Sequence, residues 1–126
     1  MTLNNALLVG DVKPFIGAKD FQLSQSFYNQ LGWKSNFETP EIAELQLADC
    51  RFYLQNYYHR EWCHNTMLHI TVEDAQAWYE HAQAVIASGS YGEAKVQSPQ
   101  SQDYGALVTF VWDPSGVLLH FAQIIK

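Results

Sequence analysis

Basic residues are scarce in this chain of 126 residues. Seven Lys and Arg stand against thirteen Asp and Glu, for a formal net charge of −6. Nucleic acid and anionic membrane surfaces both demand a basic footprint, so neither is expected as a partner, whereas a cationic one is permitted. Long apolar runs are also missing. No window approaches the ~18 apolar residues of a membrane span. The start lacks a basic segment, and its apolar stretch from Ala6 to Val9 is too short for a signal core. Cysteine is limited to Cys50 and Cys63. Two such residues exclude a disulfide framework and a paired-cysteine zinc site, and imply free thiols in a reducing, cytoplasmic setting.

The usual signatures of covalent catalysis and phosphate binding are absent as well. There is no Gly-x-Ser-x-Gly elbow. The stretch Ala87-Ser88-Gly89-Ser90-Tyr91-Gly92 lacks the lysine and spacing of a phosphate loop. Cys63 and His64 are adjacent, but neighbours in an extended strand point to opposite sides, which defeats proton transfer between them.

What the chain does contain is one pattern written twice. Apolar residues make up 48% of it, enough for a single domain spanning 1–126. Asp20 opens a helical pattern through Ser24, Phe27, Tyr28 and Leu31, with Gly32 as its stop. Asp74 opens a second through Ala75, Trp78, Tyr79, Ala82, Val85 and Ile86, stopped at Gly89. Strands are expected at 15–18 and 67–72 before the helices. After them, strands are expected at 34–37, 42–47 and 51–56, then at 92–97, 107–112 and 117–125. The fold class is therefore α+β. Two tandem βαβββ modules, about 12–56 and 66–125, form a partly open barrel with a central cleft, joined by a connecting stretch at 57–65.

Strand alternation then selects the cleft residues. Leu68, Ile70 and Val72 should face the second helix, leaving Met67, His69 and Thr71 for the cleft. In the last strand Val117, Leu119 and Phe121 share one face, and Leu118, His120 and Ala122 the other. The turn Asp113-Pro114-Ser115-Gly116 between the last two strands has the residues of a type I β-turn.

Two segments carry a resemblance to a known family. Pro14-Phe15-Ile16-Gly17-Ala18-Lys19-Asp20, Ser26-Phe27-Tyr28 and Leu31-Gly32-Trp33 resemble the opening of vicinal oxygen chelate proteins, the superfamily of glyoxalases, ring-cleaving dioxygenases and bleomycin resistance proteins. The run from Asp113 to Phe121 is similar to its closing signature. Pro14, His64-Asn65-Thr66-Met67, Tyr104-Gly105 and His120 are most similar to the bleomycin resistance branch. The resemblance implies a homodimer that exchanges its N-terminal strand at Pro14.

It also implies four metal-ligand positions, which fall near Lys13, at or next to Leu54, at Met67 and at His120. An ammonium, an aliphatic chain and a soft thioether leave one imidazole, so no metal and no cofactor are expected. A rearranged site would have to use His69 and His120 with Glu44, His59, Glu61 or His64 from loops, and no metal-ligand spacing supports one.

The remaining distinction is aromatic content, with seven Phe, seven Tyr and four Trp. Aromatic walls stack planar heterocycles and attract cations through the ring quadrupole. The expected function is metal-independent sequestration of a small cationic aromatic compound. Trp33, Phe37, Trp62 and Tyr104 would stack on it, while Gln55, His69, Thr71 and His120 would hydrogen-bond. Tyr57, Tyr58 and Trp62 fit either the cleft or a dimer contact. Two other functions remain open: a metal-dependent lyase, isomerase or dioxygenase with an atypical site, and a dimeric interaction module whose cleft is filled by its own side chains.

Overall fold

Asp20 and Asp74 each start a helix by the same local device. In the computed structural model, which describes residues 4–125, the Asp20 carboxylate accepts a hydrogen bond from the Leu23 amide at 3.1 Å and Asp74 accepts one from Ala77 at 3.0 Å. Each satisfies an amide that the first helical turn leaves without a partner. Helix α1 spans Phe21–Leu31 and ends at Gly32, whose φ of 123° admits no ordinary side chain. A short helix α2, Arg60–His64, occupies the connecting stretch, so Cys63 and His64 are helical neighbours and not the extended pair expected. Helix α3 spans Ala75–Ala87. It stops one residue before the expected Gly89, because Ser88 caps it and its hydroxyl donates back to the Val85 carbonyl at 2.7 Å.

The strands are β1 Phe15–Gly17, β2 Lys34–Glu38, β3 Ile42–Leu47, β4 Cys50–Gln55, β5 Met67–Thr71, β6 Lys95–Gln102, β7 Ala106–Trp112 and β8 Leu118–Ile124. Strand β6 departs from the expected 92–97. Gly92 has φ 60° and belongs to a turn, and the strand instead runs on through Ser98 and Pro99. A register shift between Gln97 and Gln100 takes up these residues. Proline is admissible there because β6 is an edge strand and a bulge needs no ladder N–H.

Two four-stranded sheets result, ordered β1-β4-β3-β2 and β5-β8-β7-β6. The first pair in each is parallel and the others are antiparallel. The sheets share no strand pairing, so the α+β arrangement of two βαβββ modules stays a partly open barrel. One face of each sheet is covered by its own helix. Ile16, Leu45, Phe52 and Leu54 pack with Phe27, Tyr28 and Leu31 of α1, and in the second module Trp78 of α3 stacks on Phe121 at 4.4 Å. Helices α1 and α3 also touch, which joins both modules in one continuous core. Among the described residues no helix is long and apolar enough to cross a membrane.

The turn at 113–116 is buried rather than on the surface, and it locks the modules together. Asp113 accepts from the Ser115 and Val117 amides at 2.8 and 3.0 Å, and its other oxygen accepts from the Tyr28 hydroxyl of α1 at 2.8 Å. The Ser115 hydroxyl in turn accepts from the Lys19 amide at 2.8 Å. Gly116 has φ 92°, and a methyl group on it would lie 2.3 Å from Cδ2 of His64. Gly116→Ala is therefore expected to destabilise the fold by about 1–3 kcal/mol in urea denaturation. His64→Ala in the same chain should restore part of that loss, and a single variant as stable as wild type would contradict the packing.

Candidate functional site

On the face of each sheet turned away from its helix a row of four side chains crosses all four strands. On the second sheet Ala106, Val108 and Ala122 of that face are buried in a small cluster with Phe110. In the second sheet the strand registers align His69 of β5 with His120 of β8, then Phe110 of β7, then Gln97 of β6. The alternation responsible is visible in β5, where Leu68 and Ile70 join the core while Met67, His69 and Thr71 are exposed. The imidazoles of His69 and His120 lie 6.1 Å apart between ring centres, and Phe110 meets His120 edge-on at 4.9 Å. Tyr104, on the loop before β7, comes within hydrogen-bond distance of His69, with 3.2 Å between its hydroxyl and Nε2.

Burial, and to a lesser degree the neighbouring His69, holds the His120 imidazole below its ordinary pKa. It is therefore neutral at pH 7. Among the described residues its Nε2 has no hydrogen-bond partner, which leaves one hydrogen bond for a ligand that reaches it.

On the first sheet the matching row is Phe15 of β1, Tyr53 of β4, Glu44 of β3 and Phe37 of β2. Phe15 and Phe37 lie 5.2 and 6.0 Å from the Tyr53 ring. Gln55, two residues beyond Tyr53, is on the same face. Sequence reading selected Phe37 and Gln55 here but missed Phe15, Tyr53 and Glu44 as companions, and missed Phe110 on the other sheet. Each of those three aromatics alternates with core residues, and that alternation was the signal available for finding them.

The eight selected side chains thus fall in four places. His69, Thr71, His120 and Tyr104 gather on the second sheet, while Phe37 and Gln55 lie on the first. Trp33 belongs to the core at 4% exposure, edge-on to Tyr28 and Phe52. It also borders a cavity of about 330 Å³ at the seam between the modules, together with Pro14, Phe52, His69 and Thr71. Its indole N–H finds no acceptor among the described residues. Trp62 is on α2, packed so closely over Gly17 that a Cβ there would lie 2.6 Å from its ring. Tyr57 is its neighbour at 6.0 Å and is exposed, whereas Tyr58 packs against the core.

The four metal-ligand positions implied by the resemblance do not fit a hard divalent ion. Lys13 is paired with Asp11 at 2.6 Å, Leu54 is in the core, Met67 is an exposed thioether, and His120 supplies a single imidazole. Among the described residues no three His, Cys, Asp or Glu side chains are grouped to hold an ion. Of the two free thiols, Cys50 is exposed at the seam cavity. Cys63 is buried, and desolvation pushes its thiol up, away from the reactive thiolate.

No family model matches this chain, and no curated protein matches it. Solved structures do. A bleomycin resistance determinant encoded on the transposon Tn5 superposes with a TM-score of 0.77 at 22% identity, over 92% of this chain and 98% of that one. The bleomycin-binding protein of Streptomyces verticillus, complexed with copper(II)-bleomycin, gives 0.74 at 22% identity, over 94% of this chain and 100% of that one. Lactoylglutathione lyase from Agrobacterium tumefaciens gives 0.64 at 11% identity, over 92% and 95%. The chain therefore has the fold shared by glyoxalase and bleomycin resistance structures.

Proposed function

We propose that this protein is a metal-independent binder that sequesters a small cationic aromatic compound, working as a homodimer. The observation that carries this reading is the row of His69, His120 and Phe110 with Tyr104 beside it. It offers stacking surface and hydrogen-bonding groups, and among the described residues no three His, Cys, Asp or Glu side chains are grouped to hold an ion. Phe37 and Gln55 on the first sheet, Thr71 and Trp33 at the seam cavity, and Trp62 beside Gly17 are the other residues assigned to the ligand. The likeness to structures complexed with bleomycin supports this ligand class.

The dimer has its own support. The rows belong to two separate sheets, and a second copy placing its first sheet against the second sheet of this one would turn two open faces into a cleft at the subunit boundary. The segment before β1 is exposed and apolar at Leu7, Leu8, Val9 and Val12. Pro14 has no N–H for a ladder and suits the point where such an arm crosses over.

Bleomycin is the probe that tests the reading. Saturating bleomycin is expected to raise the melting temperature by mass action and to change tryptophan fluorescence. Tyr104→Ala removes one stacking face and should weaken binding by about 1–2 kcal/mol, roughly 5- to 30-fold, without loss of stability, since Tyr104 is 58% exposed. His120→Leu removes one hydrogen bond, about 0.5–1.5 kcal/mol. No response to bleomycin at saturation would reject this ligand class. About one divalent ion per chain, lost with His120→Ala, would move the protein to the metal-dependent enzymes of this fold.

A further inference from the structure

We infer that the open face of the first sheet is a seat for one organic cation, a quaternary or protonated amine borne on an aromatic body, and that Lys13 fills this seat in the free protein. The inference rests on the cationic ligand proposed above and assigns the group that meets its charge.

The row Phe15, Tyr53, Glu44 and Phe37 sets three aromatic rings and one carboxylate in line across four strands. That combination is what an organic cation requires. Ring faces attract it through their quadrupole, and a carboxylate at the edge completes the charge balance. The corresponding row on the second sheet, His69, His120, Phe110 and Gln97, contains no carboxylate. Glu44 is also fixed in place: the Asn36 side-chain amide donates to its Oε2 at 2.8 Å and reaches Gln46 on the same strand at 2.8 Å. A carboxylate held by a neutral amide keeps its full charge for a ligand.

A cation already stands there. The Lys13 ammonium is 5.9 Å from the centre of the Tyr53 ring. Its pKa is raised first by the hydrogen bond to Asp11, and further by Asp11, Tyr53 and Glu44. The only direct ionic partner of Lys13 among the described residues is Asp11, two positions earlier, and both side chains are in contact with water. An exposed pair of this kind is weak, so a ligand cation with its own aromatic body can displace it. Two further cations share this face in the next row: Arg51 is engaged by Asp11 at 3.3 Å and Gln46 at 3.3 Å, and Lys34 stands opposite Gln46 rather than in the row of rings. Phe15 and Phe37, at 48% and 43% exposure, remain open to the incoming group.

The expected signature is unusual, because removing a side chain should improve binding. Calorimetric titration of the full chain with benzyltrimethylammonium is expected to show Lys13→Met binding about five- to tenfold tighter than wild type. Glu44→Gln should bind about five- to tenfold more weakly than wild type, and adding Glu44→Gln to Lys13→Met should abolish the gain. Benzyl alcohol, of similar shape without the charge, should bind all variants alike. Both residues lie on an open face, so melting temperatures should hold. Lys13→Met that binds the ammonium no tighter than wild type overturns the seat, as does an equal gain for benzyl alcohol. Bleomycin separates this result from the wider reading. If it stabilises wild type and both variants equally, the seat is refuted while the binder stands. If it stabilises none while Lys13→Met captures the ammonium, the seat stands and the bleomycin-like ligand is refuted.

Discussion

Asp113→Ala is expected to destabilise the protein by about 3–5 kcal/mol. Alanine would strand three buried donors: the Tyr28 hydroxyl and the Ser115 and Val117 amides. Each unsatisfied buried donor costs about 1–3 kcal/mol, with partial relaxation between them. Asp113→Asn should behave very differently. Its amide oxygen can keep both backbone bonds, and the Tyr28 hydroxyl can rotate to accept from the new NH₂.

The pH dependence gives an independent check. Burial raises the Asp113 pKa from 3.8 to about 6, against the opposing pull of its hydrogen bonds from Tyr28 and the turn amides. A carboxyl with a raised native pKa binds its proton more tightly folded than unfolded. Its contribution is therefore fully present below about pH 4 and is lost as pH rises through about 6. From this group alone, stability should fall by about 2.5 kcal/mol between pH 4 and pH 7. Urea denaturation at pH 4 and pH 7 would show the drop in wild type and its absence in Asp113→Asn. Equal slopes in the two proteins would exclude Asp113 as the source.

Deleting residues 1–12 is expected to weaken the proposed homodimer by two orders of magnitude or more. The deletion removes Leu7, Leu8, Val9 and Val12, which are 63–85% exposed in the single chain. Burying such side chains against a partner gains roughly 1.5–3 kcal/mol each before the entropy of ordering the arm is subtracted. A net ~3 kcal/mol corresponds to about 100-fold in the dissociation constant. The core is left intact, because none of these residues packs in it. Sedimentation at micromolar concentration should show a dimer for the full chain and a monomer for the shortened one. A full chain that sediments as a monomer would refute the dimer. Bleomycin binding should fall with it if the cleft lies at the subunit boundary.

The parts of this protein that were legible in sequence are the ones decided over short distances. The limits of α1 follow from Asp20 and Gly32 within a single turn at each end. The outward direction of His69 and Thr71 follows from the two-residue alternation of β5. The pairing of β7 with β8 follows from the four-residue turn between them. In each case the deciding groups lie a few residues apart, and local backbone geometry leaves little freedom.

What only the tertiary structure decided depends on groups that are distant along the chain. Trp33 read as a stacking residue because an aromatic after a helix suits a cleft wall and a core equally well. Its contacts with Phe52, nineteen positions later, put it inside. Asp113 read as a turn former, which it is, but the Tyr28 hydroxyl that makes it the link between modules comes from α1. The strand expected at 92–97 runs instead over Lys95–Gln102 and through Pro99, which the edge position of β6 and its bulge admit. The row of Phe15, Tyr53, Glu44 and Phe37 could not be read at all, because its members come from four strands whose alignment exists only once the sheet has formed. Sequence by itself determined which face Phe15, Tyr53 and Glu44 take, since alternation is a property of one strand, whereas Phe37 reaches that face through the bulge between Ser35 and Phe37. Which of them became neighbours was left to the registers between strands, and these are set by the packing of the whole sheet on its helix.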